Sequence, residues 1–254
     1  DLIVRTKELA DEYGVGVHMH VAEIQEEVEY ARETRGKTTV AHLDDLGVLD
    51  ENFLAVHTVW LTDEEVQIFA DQDVKVSHNP GAAMRVLGFA KIPEMLDAGI
   101  CVTLGTDGAP SNNRMTIIDE MWLASLIHKG RTLDPTVVPA EAVLKMVTRD
   151  GARGLLVDDA LGSLEAGKQA DLVVIDPDTA AMLPMHDPAA NMVSSMRTGN
   201  VESVMVDGQW VMKDREILTV NEQEILEEAN RRAADIARRA GIELPQRFNV
   251  VDDE

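Results

Sequence analysis

The 254-residue chain is long enough for one large domain, or for one domain with a smaller companion. Its 46 acidic residues outnumber 23 basic ones, and the formal net charge of −23 disfavours nucleic acid and anionic membranes as partners. The sequence has no 18-residue apolar run, no basic-then-apolar start and a single cysteine, Cys101. It therefore predicts no membrane span, no signal peptide, no internal disulfide and a reducing, cytoplasmic location.

The acidic residues are spread over helical faces, and only 8 of the 23 basic residues are lysine. An acidic, lysine-poor surface is typical of proteins from salt-loaded cytoplasms, where it keeps the protein hydrated. The pattern favours a halophilic protein, with an ordinarily acidic soluble protein as the alternative.

The first region, residues 1–156, alternates short apolar runs with helical patterns. The runs are rich in β-branched residues, as in strands buried on both faces, and lie at 15–21, 53–59, 74–78 and 100–104. This alternation predicts four successive βα units around a parallel sheet.

Helix boundaries can be predicted from local signals in the same region. Thr62 followed by Glu65 forms a capping box, and Pro93 suits the first turn of a helix. Gly99 and Gly130 follow apolar-periodic stretches and are predicted to end their helices.

The composition changes after residue 156. A strand at 171–175 and a hairpin around Asp207-Gly208 predict a small antiparallel β unit over residues 157–220. Residues 221–254 are predicted to form an amphipathic helix capped by Asn221 with Glu224, ending at Gly241, followed by a frayed acidic tail.

Four polar residues stand at or just beyond the ends of predicted parallel strands: His20, Glu23, His57 and Asp107. Sites in βα folds lie at these strand ends, and a zinc-like ion accepts imidazole and carboxylate ligands from several strands. Taken singly, each histidine could be structural and Asp107 a turn residue; their occurrence on consecutive units favours a site. His18 is on the same strand face as His20, so a His-x-His pair is an alternative.

Five motifs occur in order along nearly the whole chain: "HVAE", "VHTVWLTDEE", "VSHNP", "TLGTDGAPSNN" and "GSLEAGKQADLVVID". Together they resemble the C-terminal part of the amidohydrolase superfamily. The most similar branch contains methylthioadenosine/S-adenosylhomocysteine, 5'-deoxyadenosine and guanine deaminases and the chlorotriazine hydrolases. The resemblance implies an α/β fold: the C-terminal half of a metal-dependent (β/α)8 barrel, with strands five to eight in residues 1–156, plus part of a small β-sandwich.

The same resemblance implies roles for individual residues. His20 matches a metal ligand, Asp107 a ligand that also accepts a proton, Glu23 an acid/base beside the substrate ring, and His57 a histidine next to the metal water. His18 then becomes a barrel-packing residue. The implied cofactor is one divalent metal. Histidine and aspartate ligands favour zinc, with Fe(II) or Mn(II) as alternatives.

Substrate contacts are expected from Glu23, Trp60, Ser111 and Asn112, although "SNN" is also ordinary loop and cap sequence. Ala82 and Ala83 stand where relatives carry polar residues, and Trp60 where many carry histidine, which predicts a more apolar pocket mouth. His78 is a candidate pocket residue, whereas His42, His128 and His186 are interpreted as structural or surface residues. A nucleotide-binding P-loop is disfavoured, because "GTDGAPSNN" lacks its lysine and glycine spacing.

The resemblance implies hydrolytic deamination of an adenosine-like or other aminated heterocycle, with a chlorotriazine or guanine-type amidohydrolase as the alternative. No counterpart of the family's strands one to four or of its strand-one His-x-His pair is present. We therefore expect an N-terminally incomplete chain, and a second alternative is an inert half-barrel that needs an N-terminal partner. The full-length form is expected to be a homo-oligomer acting on a small molecule.

Overall fold

The computed structural model describes residues 2–243 and contains two four-stranded sheets. The first sheet is parallel, and its strands are neighbours in chain order: β1 (Val17–Val21), β2 (Phe53–His57), β3 (Lys75–His78) and β4 (Val102–Leu104). The predicted βα alternation with a parallel sheet is therefore confirmed.

Helices precede, separate and follow these strands. They are α1 (Leu2–Tyr13), α2 (Gln25–Arg35), α3 (Thr39–Asp45), α4 (Asp63–Asp71), α5 (Pro80–Val86), α6 (Ile92–Asp97), α7 (Ala109–Asn112), α8 (Ile117–Thr132), α9 (Ala140–Met146) and α10 (Arg149–Gly154).

The register of the parallel sheet brings the carboxyl ends of its strands to one edge. Val21 pairs with His57 at the end of β1 and β2, and His78 pairs with Leu104 at the end of β3 and β4. Every residue of β2 and β3, the two inner strands, is buried, which is typical of a parallel sheet whose faces are covered. Polar residues that follow these strands therefore face a common edge of the sheet.

The hydrophobic core lies between the parallel sheet and the helices that cover it. Its largest fully buried apolar side chains are those of Phe53, Phe69, Leu43, Ile92 and Met95. These residues come from β2 and from α3, α4 and α6, so burying them fixes the helices against the sheet.

Most of the local helix signals are confirmed. The Thr62 hydroxyl accepts a hydrogen bond from Glu65 N, and the Glu65 carboxylate accepts one from Thr62 N, which forms the predicted capping box of α4. Pro93 lies in the first turn of α6, and Gly99 adopts φ of 81° after that helix ends.

The prediction that Gly130 ends a helix is wrong. Helix α8 continues through Gly130 to Thr132, and Leu133 takes the left-handed cap position with φ of 56°. The buried face of α8 includes Met121, Ala124 and His128, so tertiary packing outweighs the helix cost of one glycine.

The second sheet is antiparallel, in the order β5 (Leu172–Ile175), β6 (Val201–Val206), β7 (Gln209–Lys213) and β8 (Glu216–Ile217). Asp207 and Gly208 have φ of 48° and 75°, the positive values that a two-residue type I′ hairpin requires, which confirms the predicted hairpin. Helix α11 (Pro188–Ser194) packs against α8 and α9 and joins the same hydrophobic core. The boundaries at residues 156 and 220 stay a prediction.

Helix α12 (Glu222–Arg239) is capped by Asn221, whose side-chain oxygen accepts a hydrogen bond from Glu224 N, as predicted. None of its residues is buried. The predicted frayed tail lies outside the described residues. Between residues 2 and 243, no helix is long and apolar enough to cross a membrane.

Candidate metal centre

The end of β1 carries His20, and a turn at Ala22 brings Glu23 back beside it. Ala22 adopts φ of 51°, which is left-handed backbone. The Glu27 carboxylate accepts hydrogen bonds from Ala22 N at 2.8 Å and from Glu23 N at 3.0 Å. Glu27, in the first helical turn of α2, thus holds the chain reversal at Ala22 in place. This role was not predicted from the sequence.

The end of β2 carries His57 in an unusual backbone conformation. His57 and the β-branched Thr58 have φ of 70° and 51°, and such strain commonly marks functional sites. Thr58 N donates to Val21 O at 3.1 Å, and Trp60 N donates to Ala22 O at 3.0 Å. These bonds tie the turn after β2 to the turn after β1.

The two turns bring His20, Glu23 and His57 together. His20 Nδ1 lies 3.2 Å from Glu23 Oε2, and His57 Nε2 lies 3.6 Å from Glu23 Oε1. The two imidazole rings meet edge to face, with centroids 4.6 Å apart. Within residues 2–243, this is the one group of three or more His, Cys, Asp or Glu whose ligand atoms all lie within 4.8 Å of one another.

The three side chains differ in exposure. His57 is 1% exposed, Glu23 is partly buried and His20 is exposed. Burial lowers the pKa of the His57 imidazole, as does His20, while the carboxylates of Glu23 and Asp107 oppose the shift. The environment therefore favours a neutral His57, which is the form that binds metals.

The His57 ring also has unused bonding capacity. Neither of its nitrogens has a hydrogen-bond partner among the described residues, although both are buried. Buried polar atoms without a partner are rare and call for an explanation such as an ion. Two imidazoles and a carboxylate are donors that zinc accepts, so the residues present fit a divalent cation.

Asp107 follows β4 in a left-handed turn with φ of 59° and is half-buried. Its Oδ1 accepts a hydrogen bond from Gly108 N at 2.6 Å, and its charge acts on His57. It lies outside the three-residue group, so its predicted role as a metal ligand stays a prediction.

The expected substrate contacts lie in different environments. Trp60 is 40% exposed and Ser111 is exposed, so both are accessible. Asn112 is buried, and its side-chain amide donates to Thr106 O at 2.8 Å and to Glu120 Oε1 at 2.7 Å. These bonds hold the segment between β4 and α7, which contains Asp107, from its buried side. Glu120 was not among the residues predicted from the sequence, where its one signal is an acidic residue among the apolar positions of α8.

The structure can be compared with three other expectations. Ala82 and Ala83 are buried within α5 and do not line an exposed mouth. His18 is exposed and lies two residues before His20 on β1. Its expected packing role concerns a complete barrel and stays a prediction. His128, interpreted as a structural or surface residue, is fully buried against His78, which agrees with the structural alternative.

Known proteins resemble this chain over most of its length. A profile described as the amidohydrolase family matches residues 1–211. A 5-methylthioadenosine/S-adenosylhomocysteine deaminase from Syntrophomonas wolfei is 43% identical over 231 residues, which cover 90% of this chain and 54% of the relative. A 5'-deoxyadenosine deaminase from Methanopyrus kandleri is 39% identical over 89% of this chain and 53% of its own length.

Solved structures show the same relationship. A zinc-bound adenosine deaminase from Xanthomonas campestris superposes with a TM-score of 0.91 at 30% identity, covering 93% of this chain and 54% of that one. An atrazine chlorohydrolase from Arthrobacter aurescens, complexed with zinc, superposes with a TM-score of 0.84 at 29% identity. The superposition covers 91% of this chain and 51% of the chlorohydrolase chain. The chain thus spans about half the length of the relatives it matches. With the family profile covering residues 1–211, it belongs to the amidohydrolase family.

Proposed function

We propose that this chain forms part of a metal-dependent hydrolase that deaminates an adenosine-like nucleoside or another aminated heterocycle. The observation that carries the proposal is the convergence of His20, Glu23 and His57 at the adjoining ends of β1 and β2. The named deaminase and chlorohydrolase relatives give the reaction class.

The proposed architecture is the C-terminal half of a (β/α)8 barrel plus part of a small β-sandwich. Strands β1 to β4 would be barrel strands five to eight, since they are parallel and adjacent in chain order. The chain's length, about half that of its relatives, supports this assignment. The antiparallel strands β5 to β8 would belong to the sandwich.

His20 and Asp107 are the proposed ligands of one divalent metal, zinc by ligand type with Fe(II) or Mn(II) as alternatives. When bound, such a metal acts as a Lewis acid and makes water a nucleophile near neutral pH. The relatives whose structures contain zinc support this choice.

The remaining chemistry falls to the chain's own side chains. Asp107 accepts a proton from the attacking water, and His57 orients that water towards the ring carbon. Glu23, partly exposed between the two histidines, delivers a proton to the ring nitrogen. The carbon–oxygen bond forms, and the exocyclic amine takes the proton that Asp107 accepted. Its carbon–nitrogen bond then breaks to release ammonia, while the hydroxyl proton of the adduct returns to Glu23 as the ring carbonyl forms.

Trp60 and Ser111 are the proposed substrate contacts besides Glu23, because both are accessible next to the strand ends. Asn112 would act on substrate only through the loop that it supports. A chlorotriazine or guanine-type reaction is the second candidate, favoured by the atrazine chlorohydrolase similarity and by the exposed indole of Trp60. A catalytically inert half that needs an N-terminal partner is the third.

We further propose a cytoplasmic, homo-oligomeric, salt-adapted protein. The excess of 46 acidic over 23 basic residues supports salt adaptation. Screening of mutual repulsion among these charges should raise the melting temperature when KCl is raised from 0.1 M to about 2 M, where the Debye length falls below about 3 Å. An unchanged or lower melting temperature would contradict salt adaptation.

The function is tested with the full-length protein and with the 254-residue chain, each stripped of metal and reloaded with zinc. The measurements are metal content and ammonia release from 5'-deoxyadenosine, methylthioadenosine, S-adenosylhomocysteine, guanine and amino-triazines, with chloride release from chlorotriazines. We expect about one zinc per full-length chain and ammonia from an adenosine-like substrate. Zinc binding without ammonia release from any substrate would sink the deaminase proposal.

A further inference from the structure

A fully buried carboxylate links the two loops that follow β3 and β4. Glu120 of α8 is 0% exposed. Its Oε2 accepts a hydrogen bond from Gly81 N at 2.8 Å, and its Oε1 accepts one from Asn112 Nδ2 at 2.7 Å. One side chain therefore contacts both the start of α5 and the end of α7.

Asn112 passes this contact on to the turn that carries Asp107. The same Asn112 amide nitrogen donates to Thr106 O at 2.8 Å, and Thr106 directly precedes Asp107. From the other side, Arg85 Nη2 donates to Asn112 O at 2.6 Å. The chain of contacts thus runs from Glu120 through Asn112 to the backbone immediately before Asp107.

The junction is closely packed at Gly81. A Cβ atom at this position would lie 2.4 Å from Glu120 Oε1 and 2.7 Å from Asn112 Nδ2. The start of α5 can therefore approach Glu120 this closely only because residue 81 has no side chain.

Burying the Glu120 carboxylate costs folding free energy. Burial raises the pKa of Glu120, and hydrogen bonds from Gly81 and Asn112 only partly oppose this. Both partners are donors, so the junction requires an acceptor at both oxygens. An apolar residue on this helix face would avoid the cost of desolvating a charge, but it could not join the two loops.

We propose that Glu120 is a positioning residue that sets the placement of Asp107, acting through Asn112 and the Thr106 carbonyl. This inference rests on the proposed role of Asp107 in the metal centre. It predicts that Glu120 affects the metal and the chemistry more than it affects folding or substrate affinity.

The test compares E120Q with E65Q in the full-length protein. The glutamine at 120 keeps the side-chain shape but turns one of two acceptors into a donor. Glu65 is the matched control, because it is a buried helix glutamate that accepts a backbone hydrogen bond, from Thr62 N, outside the loop junction. R85M, at an exposed position, is a second variant that removes the Arg85 bond to Asn112 and should fold if E120Q does not.

The main readout is the zinc dissociation constant from chelator competition, which needs no substrate. We expect E120Q to bind zinc about 10-fold to 100-fold more weakly, as for other partners that orient metal ligands, and R85M to shift in the same direction. On the substrate identified for the wild type, kcat should fall by up to about 10²-fold with little change in KM. E65Q should retain both zinc affinity and kcat.

Wild-type zinc affinity in both E120Q and R85M would overturn the inference. So would equal losses in E120Q and E65Q that follow their melting temperatures, because they would show a purely structural role. A wild-type protein that binds zinc but releases no ammonia counts against the proposed function alone, and the zinc comparison still decides the role of Glu120.

Discussion

The Nε2 atoms of His78 and His128 lie 3.1 Å apart, and both rings are buried between the end of β3 and helix α8. One nitrogen must donate and the other accept, so at least one ring is neutral. Burial lowers the pKa of His128 to about 4 and takes that of His78 well below its usual value. The charges facing His128 are those of Arg131, Glu94 and Lys129, while His78 faces His128 and His57.

This pair predicts acid-sensitive folding. A histidine whose pKa is lower in the folded state is protonated first in the unfolded chain, so its stability contribution is present above pH 6.5 and is lost as the pH falls towards 4. For His128 alone, the loss at pH 5 is on the order of 2 kcal/mol. We expect H128Q to show a shallower fall in unfolding free energy between pH 7 and pH 5, measured by urea denaturation.

The matched control is H186Q, since His186 is exposed and lies in a loop. It should keep the wild-type pH dependence. If H128Q and H186Q have the same slope as the wild type, His128 is not a source of the acid sensitivity.

Zinc binding should depend on His20 and not on His18. Both histidines are exposed on β1, two residues apart, but only His20 belongs to the group with Glu23 and His57. H20N should weaken zinc binding by at least about tenfold, the lower limit for losing even an outer partner of a metal site. H18N should bind zinc like the wild type; a loss there as large as in H20N would revive the His-x-His alternative.

Glu23 can be tested separately as an acid/base or as a ligand. Its Oε2 lies 3.2 Å from His20 Nδ1, and its Oε1 lies 3.6 Å from His57 Nε2. As an acid/base, E23Q should keep its zinc content while ammonia release falls by about 10²-fold to 10⁴-fold. Zinc content and ammonia release falling together would instead assign Glu23 to the metal.

The strand ends could be predicted because each parallel strand is a short β-branched run followed by a polar residue. That pattern located His20, His57 and Asp107, and the resemblance supplied their expected roles. The contact between His78 and His128 could not be predicted in the same way, because the two residues are 50 positions apart and meet only through packing. The buried position of Glu120 depends likewise on where α8 meets α5 and α7.

The backbone conformation at the site was the other feature that could not be predicted from the sequence. Nothing in the sequence marks His57 and Thr58 for positive φ, since neither is glycine and Thr58 is β-branched. Bonds from neighbouring turns impose this conformation. The wrong helix end at Gly130 has the same origin, because burial of one face of α8 outweighs a local glycine signal.

Two glycines should respond oppositely to alanine. A Cβ at Gly16 would lie 2.7 Å from Asn52 O, a backbone atom that accepts the first hydrogen bond of the β1–β2 pair, so G16A should cost about 1–3 kcal/mol of unfolding free energy. At Gly130, inside α8, a Cβ would have no atom within 4 Å apart from the adjoining residues and the nearby backbone of its own helix, and G130A should stabilise the chain by about 0.5–1 kcal/mol. Urea unfolding of both variants measures the difference. A destabilised G130A would mean that the helix does end near this glycine, whereas an unaffected G16A would mean that β1 and β2 can separate there without cost.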